Sequence, residues 1–259
     1  MHLIKNQTNR QAPSHLYKYY SVSDNSISCL RKKKFWLSAP SAFNDPFDCK
    51  FHVNEYLAAQ RRKKVALGKL LTPEYIHKLD ATPDRITTSV DEYIHNLNSG
   101  IERSGVFCLS STPFEVLMWS HYSASHTGFC VEFNRTNYND LGSDLCHPVH
   151  YTNRPASLFS ASKFFGKKGN LPPHSVFYSK SKSWKYEQEW RLVYMPMKKR
   201  PAWGLCKLDA DITNIILGLK ASDETEKLIK NVFRKRPWVG IYKMHHVPGT
   251  LDVLPIKIK

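Results

Sequence analysis

Short apolar and aromatic runs bounded by polar residues set the expected frame of the chain. Leu16-Tyr17-Lys18-Tyr19-Tyr20 is aromatic, brief and bounded by polar residues, which predicts a strand. Ser23-Asp24-Asn25 offers a cap for a helix running through Cys29 and Leu30, and Phe35-Trp36-Leu37-Ser38 then starts a second strand. Between Ala39 and Pro46 two prolines and an Asn-Asp pair rule out a ladder and predict a loop. From about 56 to 100 the pattern changes to helix formers, with Thr-Pro starts at 72 and 82 and a helical spacing of Tyr93 and Leu97, so a helical insertion that serves packing is expected.

The second half returns to strands. Val106 to Ser110 and Gly128 to Phe133 read as two, with a helix opened by Pro113 and carried through Leu117-Met118-Trp119-Ser120-His121-Tyr122 between them. Val149 to Tyr151, Trp190 to Met195, Ile212 to Gly218, Gly240 to His246 and Leu251 to Ile256 supply the other strand candidates. The polar stretch Ser157 to Pro173, with two glycines and two prolines, predicts a mobile loop beside whatever site exists. No repeat or linker divides the sequence. The expectation is one α+β domain over residues 1–259, with a mainly antiparallel sheet, flanking helices and the insertion at 56–100.

Composition narrows the function. The longest apolar runs fall far short of the roughly 20 residues that span a bilayer, and the first residues lack an apolar signal core, so a cytoplasmic location without membrane contact is expected. Six scattered cysteines without a CxxC pair read as reduced core thiols, and the same spacing disfavours a zinc site. The net charge of +16 comes from five basic runs, at 31–34, 61–64, 180–185, 198–200 and 234–236. Any single run is expected to be a solvated face. Five together point to a polyanion partner, either nucleic acid or an acidic protein that neutralises the charge, such as an antitoxin.

Five stretches carry a family resemblance: Leu16-Tyr17-Lys18-Tyr19, Ser38 to Asp48, Leu117 to Tyr122, Gly128 to Phe133, and Trp184-Lys185-Tyr186-Glu187-Gln188-Glu189-Trp190-Arg191-Leu192. In order and character they resemble a bacterial family known as domain of unknown function 2971, whose name carries no activity. The layout is also similar to the ADP-ribosyltransferase fold, a split sheet whose members cleave NAD and transfer ADP-ribose to protein or nucleic acid. In that fold a first strand carries His or Arg, a second motif carries Ser-Thr-Ser or Tyr, and a late strand presents a Glu. The parallels here are Tyr17-Lys18-Tyr19, then Ser110-Ser111-Thr112 with Tyr122, then Glu187-Gln188-Glu189. Neither His nor Arg stands in the first motif, which leaves Lys18, His15 or, through space, His121 to anchor NAD.

The resemblance thus implies NAD as a substrate, bound by Tyr17, Lys18, Tyr19, Ser110, His121 and Tyr122, with Glu187 and Glu189 as catalytic residues. Cleaving the nicotinamide–ribose bond develops positive charge on the sugar, which a carboxylate stabilises; Glu189 is the choice for that task, and Glu187 for orienting or deprotonating the acceptor. If residues 187–189 are extended, both carboxylates share a face. The bland alternatives are an ion pair of either glutamate with Arg191 or Lys185 on a solvated strand, core packing for Met118, Trp119 and Tyr122, and a structural His121. Asn44 and Asp45 read first as turn makers. A nucleic-acid-modifying ADP-ribosyltransferase, as a toxin or antiphage effector, is the leading expectation. A metal-dependent nuclease built on Asp45, Asp48 and Glu189 is one alternative, and a noncatalytic nucleic-acid-binding protein the other.

Overall fold

The computed structural model describes residues 12–50, 95–154, 176–196 and 200–259. The sequence begins its frame as expected. Strand β1 (His15–Tyr20) leads to helix α1 (Asp24–Lys32), where Ser23 and Ser26 form a reciprocal capping box and Lys33, at φ 51°, turns the chain out into β2 (Lys34–Leu37). Pro40–Ala42 forms one short 3-10 turn inside the predicted loop. Of the helical insertion, 51–94 lies outside the described residues, and 95–102 is helical. The mobile loop expected at 157–173 lies outside them too.

Strands β3 (Gly105–Ser110), β4 (Phe129–Asn134), β5 (Cys146–Pro148), β6 (His150–Tyr151), β7 (Ser179–Lys180), β8 (Glu189–Tyr194), β9 (Gly204–Lys207), β10 (Ile212–Leu217), β11 (Gly240–His246) and β12 (Val253–Lys257) follow, with helix α2 (Val116–Tyr122) after β3 and α3 (Asp223–Val232) after β10. Eight strands form one sheet in the order β12-β11-β10-β4-β1-β3-β8-β5, antiparallel throughout except for β10 beside β11. Strands β2 and β9 make a separate ribbon, tied to the sheet by a Ser38–Val106 bridge. The fold is therefore α+β with a mainly antiparallel, mixed sheet.

Two adjustments to the expected elements have clear causes. Helix α2 starts at Val116, not at Pro113, because the Glu115 carboxylate accepts the Leu117 N–H and fixes the start there; the Pro113 carbonyl is used instead by the Trp119 indole, at 2.7 Å. Helix α3 was not foreseen. It carries Ser222 as cap and Asp223, Glu224 and Glu226 in its first turn, all favourable at a helix N-terminus.

The two faces of the sheet differ. Leu16, Phe107, Leu109, Phe129, Val131, Phe133, Ile215, Leu217 and Ile241 point to one face, where α1, α3 and the inner side of the ribbon cover them in a single apolar core. The alternate residues point to the other face and split into two smaller clusters. One gathers Tyr19, Met118, Trp119, Cys130, Ile216 and Met244 under α2; the second gathers Leu97, Ile101, Val106, Phe177 and Val193. All six cysteines are free, four of them buried. No helix among the described residues is long and apolar enough to cross a membrane.

Candidate functional site

Strand β1 pairs with β4 over six residues but with β3 through Tyr17 and Ser110 alone, so the sheet is split between β1 and β3. A cleft of about 420 Å³ opens there. Tyr17, Lys18 and Tyr19 line it from β1, Ser110 from β3, and His121 and Tyr122 from α2; Glu187 and Glu189 close the far side. These eight residues thus border one space, although they come from segments spread over more than half the chain.

Not all of them offer a free group. The Tyr19 hydroxyl donates to the Thr112 carbonyl at 2.9 Å, and its ring meets Trp119 edge-on at 5.1 Å. The Lys18 ammonium lies 5.0 Å from the centre of the Phe107 ring, in cation–π range. Ser110 donates to the Glu187 carbonyl at 2.7 Å, joining β3 to the start of β8. His121 is exposed, with its ring near those of Tyr122 and Tyr186. His15, the other substitute anchor, sits at the far end of β1 beside Asn134 and does not line the cleft.

Helix α2 is held in place by an unusual turn. Ala124, Ser125 and His126 have φ of 48°, 54° and 73°, three successive left-handed residues without a glycine, a conformation that costs about 1–2 kcal/mol for each residue. Its return is contact: the His126 ring stacks on Trp119, and its imidazole lies 3.1 Å from the Ser120 hydroxyl. Gly128 follows because a Cβ there would come within 2.0 Å of the Tyr20 carbonyl. The turn therefore packs against the end of β1, next to the tyrosines of the cleft.

Residues 187–189 are not extended. Lys182–Glu187 is a 3-10 helix, Gln188 adopts φ 46° and ψ 47°, and the strand begins only at Glu189. The bend still brings the two carboxylates together, because both accept from the Lys180 ammonium, Glu189 at 3.1 Å and Glu187 through a shorter contact. Lys180 is 6% exposed, so this member of the basic run at 180–185 is a buried ion-pair partner and not a solvated charge.

Arg191 is the centre of the charged floor. Its guanidinium forms a fork with Asp48 (2.8 and 2.6 Å), a second with Glu189 (2.7 and 2.9 Å), and a bond to the Phe177 carbonyl at 2.7 Å, so each N–H is used. The side chain is fully buried. The expected alternative of a Glu189–Arg191 pair is correct as to partner, while a solvated setting is not. Lys185 is exposed and takes no part.

These contacts separate the two glutamates electrostatically. Burial alone would raise the Glu189 carboxyl, but the charge and hydrogen bonds of Arg191, with Lys180, hold it down at about 2. For Glu187 burial and the neighbouring Glu189 charge win over Lys180, and its carboxyl is raised above 4.5. Tyr122 donates to Glu187 at 2.6 Å and accepts from Asn44 at 3.3 Å; burial and the Glu187 contact raise its phenol. Arg191 and Lys180 thus favour the ionised form of Glu189, while burial and the Glu189 charge disfavour that of Glu187.

Asp48, Lys180, Arg191 and Asn44 complete a site in which the sequence had identified mainly the tyrosines and glutamates. Asp45 is a turn maker, as read: its carboxylate accepts the Phe47 N–H at 2.9 Å. Among the described residues no group of three or more His, Cys, Asp or Glu side chains is arranged around a metal position. The space between Asp48 and Glu189, the two acids of the nuclease alternative that lie together, is taken by the Arg191 cation.

Residues 118–192 match a family described as Protein of unknown function (DUF2971). The matched span runs from α2 into β8 and holds His121, Tyr122, Lys180, Glu187, Glu189 and Arg191, while Asp48 and the β1 tyrosines precede it. No curated protein and no solved structure matches the chain.

Proposed function

We propose that the protein is an NAD-dependent ADP-ribosyltransferase acting on a nucleic acid. One observation carries the reading: Tyr17, Lys18, Tyr19, Ser110, His121 and Tyr122 face Glu187 and Glu189 across a single cleft at the split in the sheet. The three segments that the resemblance singles out lie on, or flank in sequence, three neighbouring strands in the order β1-β3-β8.

The chemistry follows from the division between the two acids. Glu189 supplies a negative charge that does not depend on pH near neutrality and is held rigidly by Arg191, which is what a developing sugar cation requires. Glu187, with its raised carboxyl and its bond to Tyr122, suits removal of a proton from the attacking acceptor. Tyrosine faces at Tyr17 and Tyr122 offer flat contacts for the nicotinamide. The charge of +16 supports a polyanionic acceptor.

The direct test is calorimetry with NAD, then incubation with NAD labelled in the adenylate and a mixture of RNA, DNA and protein. Binding in the micromolar to millimolar range and label on RNA or DNA is the expected outcome. Absence of NAD binding by a folded sample would overturn the enzyme reading, and label confined to protein would overturn the acceptor class.

A further inference from the structure

A second cleft, of about 400 Å³, lies behind the carboxylates and has no role in the reading above. It is lined by Val149, His150, Tyr151, Lys182 and Lys185. Its two lysines belong to the 3-10 helix Lys182–Glu187, where residues three apart eclipse each other and so present both ammonium groups on one side. Both are exposed, and neither has an ion-pair partner among the described residues. The nearby acids do not neutralise them, because Glu187 and Glu189 are held by Lys180 and Arg191 on the buried side.

The cleft is coupled to the first one by short links. The Tyr151 hydroxyl accepts the Glu189 N–H at 2.7 Å, and Tyr151 is the strand partner of Lys180. Along the surface, rings run from Trp184 to Tyr186 at 6.1 Å, on to His121 at 6.2 Å and to Tyr122 at 6.3 Å, which is already in the first cleft. Paired ammonium groups suit a phosphate, and a row of rings suits unpaired bases, whose faces a duplex would keep stacked inside.

From this arrangement we propose that the second cleft binds a backbone phosphate of a single-stranded nucleic-acid acceptor, whose next bases lie along Trp184, Tyr186 and His121 toward Glu187. The proposal deepens the transferase reading by naming the acceptor and its entry path, but binding itself needs no NAD. The test therefore uses the full chain without NAD and a fluorescein-labelled single-stranded RNA 12-mer of mixed sequence, with folding of each variant checked by thermal melting. Lys182→Glu with Lys185→Glu should raise Kd at least about tenfold, and should lower the slope of log affinity against log salt by about 0.7, the amount for one single-strand phosphate. Millimolar inorganic phosphate should compete in the parent, and the same 12-mer in duplex form should bind more weakly.

Reversal of Lys32 and Lys33, on the far end of α1, is the control for net charge. An equal loss from that pair would overturn the cleft as a site. If the double variant keeps the RNA affinity of the parent, the nucleic-acid assignment falls, and a phosphate that binds the parent without displacing the 12-mer would make the cleft a free-phosphate site; loss of NAD affinity in a separate titration of that variant, with RNA affinity kept, would assign it to the dinucleotide. RNA binding that depends on Lys182 and Lys185 in a protein that never cleaves NAD would uphold this inference and refute the transferase.

Discussion

The two faces of the central sheet use the same strands for opposite purposes. On one, residues such as Phe107, Phe133 and Ile215 meet α1, α3 and the β2–β9 ribbon in a continuous apolar core. On the other, two smaller apolar clusters flank Asp48, Lys180, Glu187, Glu189 and Arg191, all at most 6% exposed. Buried ion pairs commonly stabilise a fold no better than apolar residues of the same volume, because desolvation offsets their attraction. The first face is what stability asks for. The second is a costly arrangement whose product is a fixed charge beside a cleft, and that difference is what the proposed function draws on.

The largest effect that separates the faces should come from Arg191→Ala. It strands Asp48 and Glu189 as buried carboxylates and should cost about 3–5 kcal/mol in denaturant unfolding. Phe133→Ala on the apolar face should cost a similar amount through cavity formation. The distinction lies in repair: Arg191→Met combined with Asp48→Leu and Glu189→Leu should recover much of the stability while the cleft loses its charge. If the triple variant is no more stable than Arg191→Ala, the charged floor is itself a main support of the fold.

Acid should probe the same floor next. The Glu189 carboxyl is lowered in the folded protein, so its contribution is complete above the unfolded value near 4.5 and is lost as pH falls toward about 2, on the order of 3 kcal/mol in all. Glu187 is raised, and its contribution has the opposite sense: it is present at low pH and is lost as pH rises through the folded value. Urea titrations from pH 6 to 2 should therefore show a steep loss in the parent that is reduced in Glu189→Gln and not in Glu187→Gln. Equal slopes for all three proteins would show that Glu189 is not the lowered group.

How far the sequence reveals these faces depends on the range of the interactions. Strand β11 is readable to its ends, because Gly240 to His246 is a short run bounded by turn residues. Strand β9 escapes because Gly-Leu-Cys-Lys is too short to show a period, and α3 because its surface is mostly charged, although its cap and acidic first turn were visible signals. In the site, the tyrosines and glutamates stand in recognisable local motifs. Asp48 also stands in such a stretch, Ser38 to Asp48, but reads there as a metal ligand, since its actual partner Arg191 is 143 residues away. Lys180 was hidden in a run of basic residues whose other members face solvent. Local pattern reports which face a residue takes; it does not report that a charge on that face has found two partners.

Removal of the Glu189 charge should be the next effect in size, and it acts on turnover. Glu189→Gln keeps shape and hydrogen-bonding capacity but withdraws the charge that the proposed transferase would set opposite the sugar cation, and nicotinamide release should then slow at least about a hundredfold with NAD affinity largely retained. Glu187→Gln should impair transfer to the acceptor more than nicotinamide release, because it removes a proton acceptor. Single-turnover measurement of both products separates the two steps. Near-parental turnover in folded Glu189→Gln would reduce the pair with Arg191 to architecture.

The smallest effect should come from the residue between the two acids. Gln188, at φ 46°, sets the bend that lets Glu187 leave the 3-10 helix and Glu189 enter the strand with both carboxylates on Lys180. Its amide is exposed and makes one long contact, 3.4 Å from the Ser111 hydroxyl, so the conformation and not the side chain is what the site uses. Glycine adopts this backbone without strain, and Gln188→Gly should leave stability within about 1 kcal/mol of the parent. A β-branched residue resists it, and Gln188→Val should lose about 1–2 kcal/mol. The apolar face would feel this only as lost stability. The charged face should also respond in its titration, because any shift of Glu187 away from Lys180 removes the opposing charge and raises its carboxyl further. The pH dependence of acceptor transfer should therefore move upward in Gln188→Val and stay in place in Gln188→Gly; an unchanged profile in both would detach the bend from the chemistry.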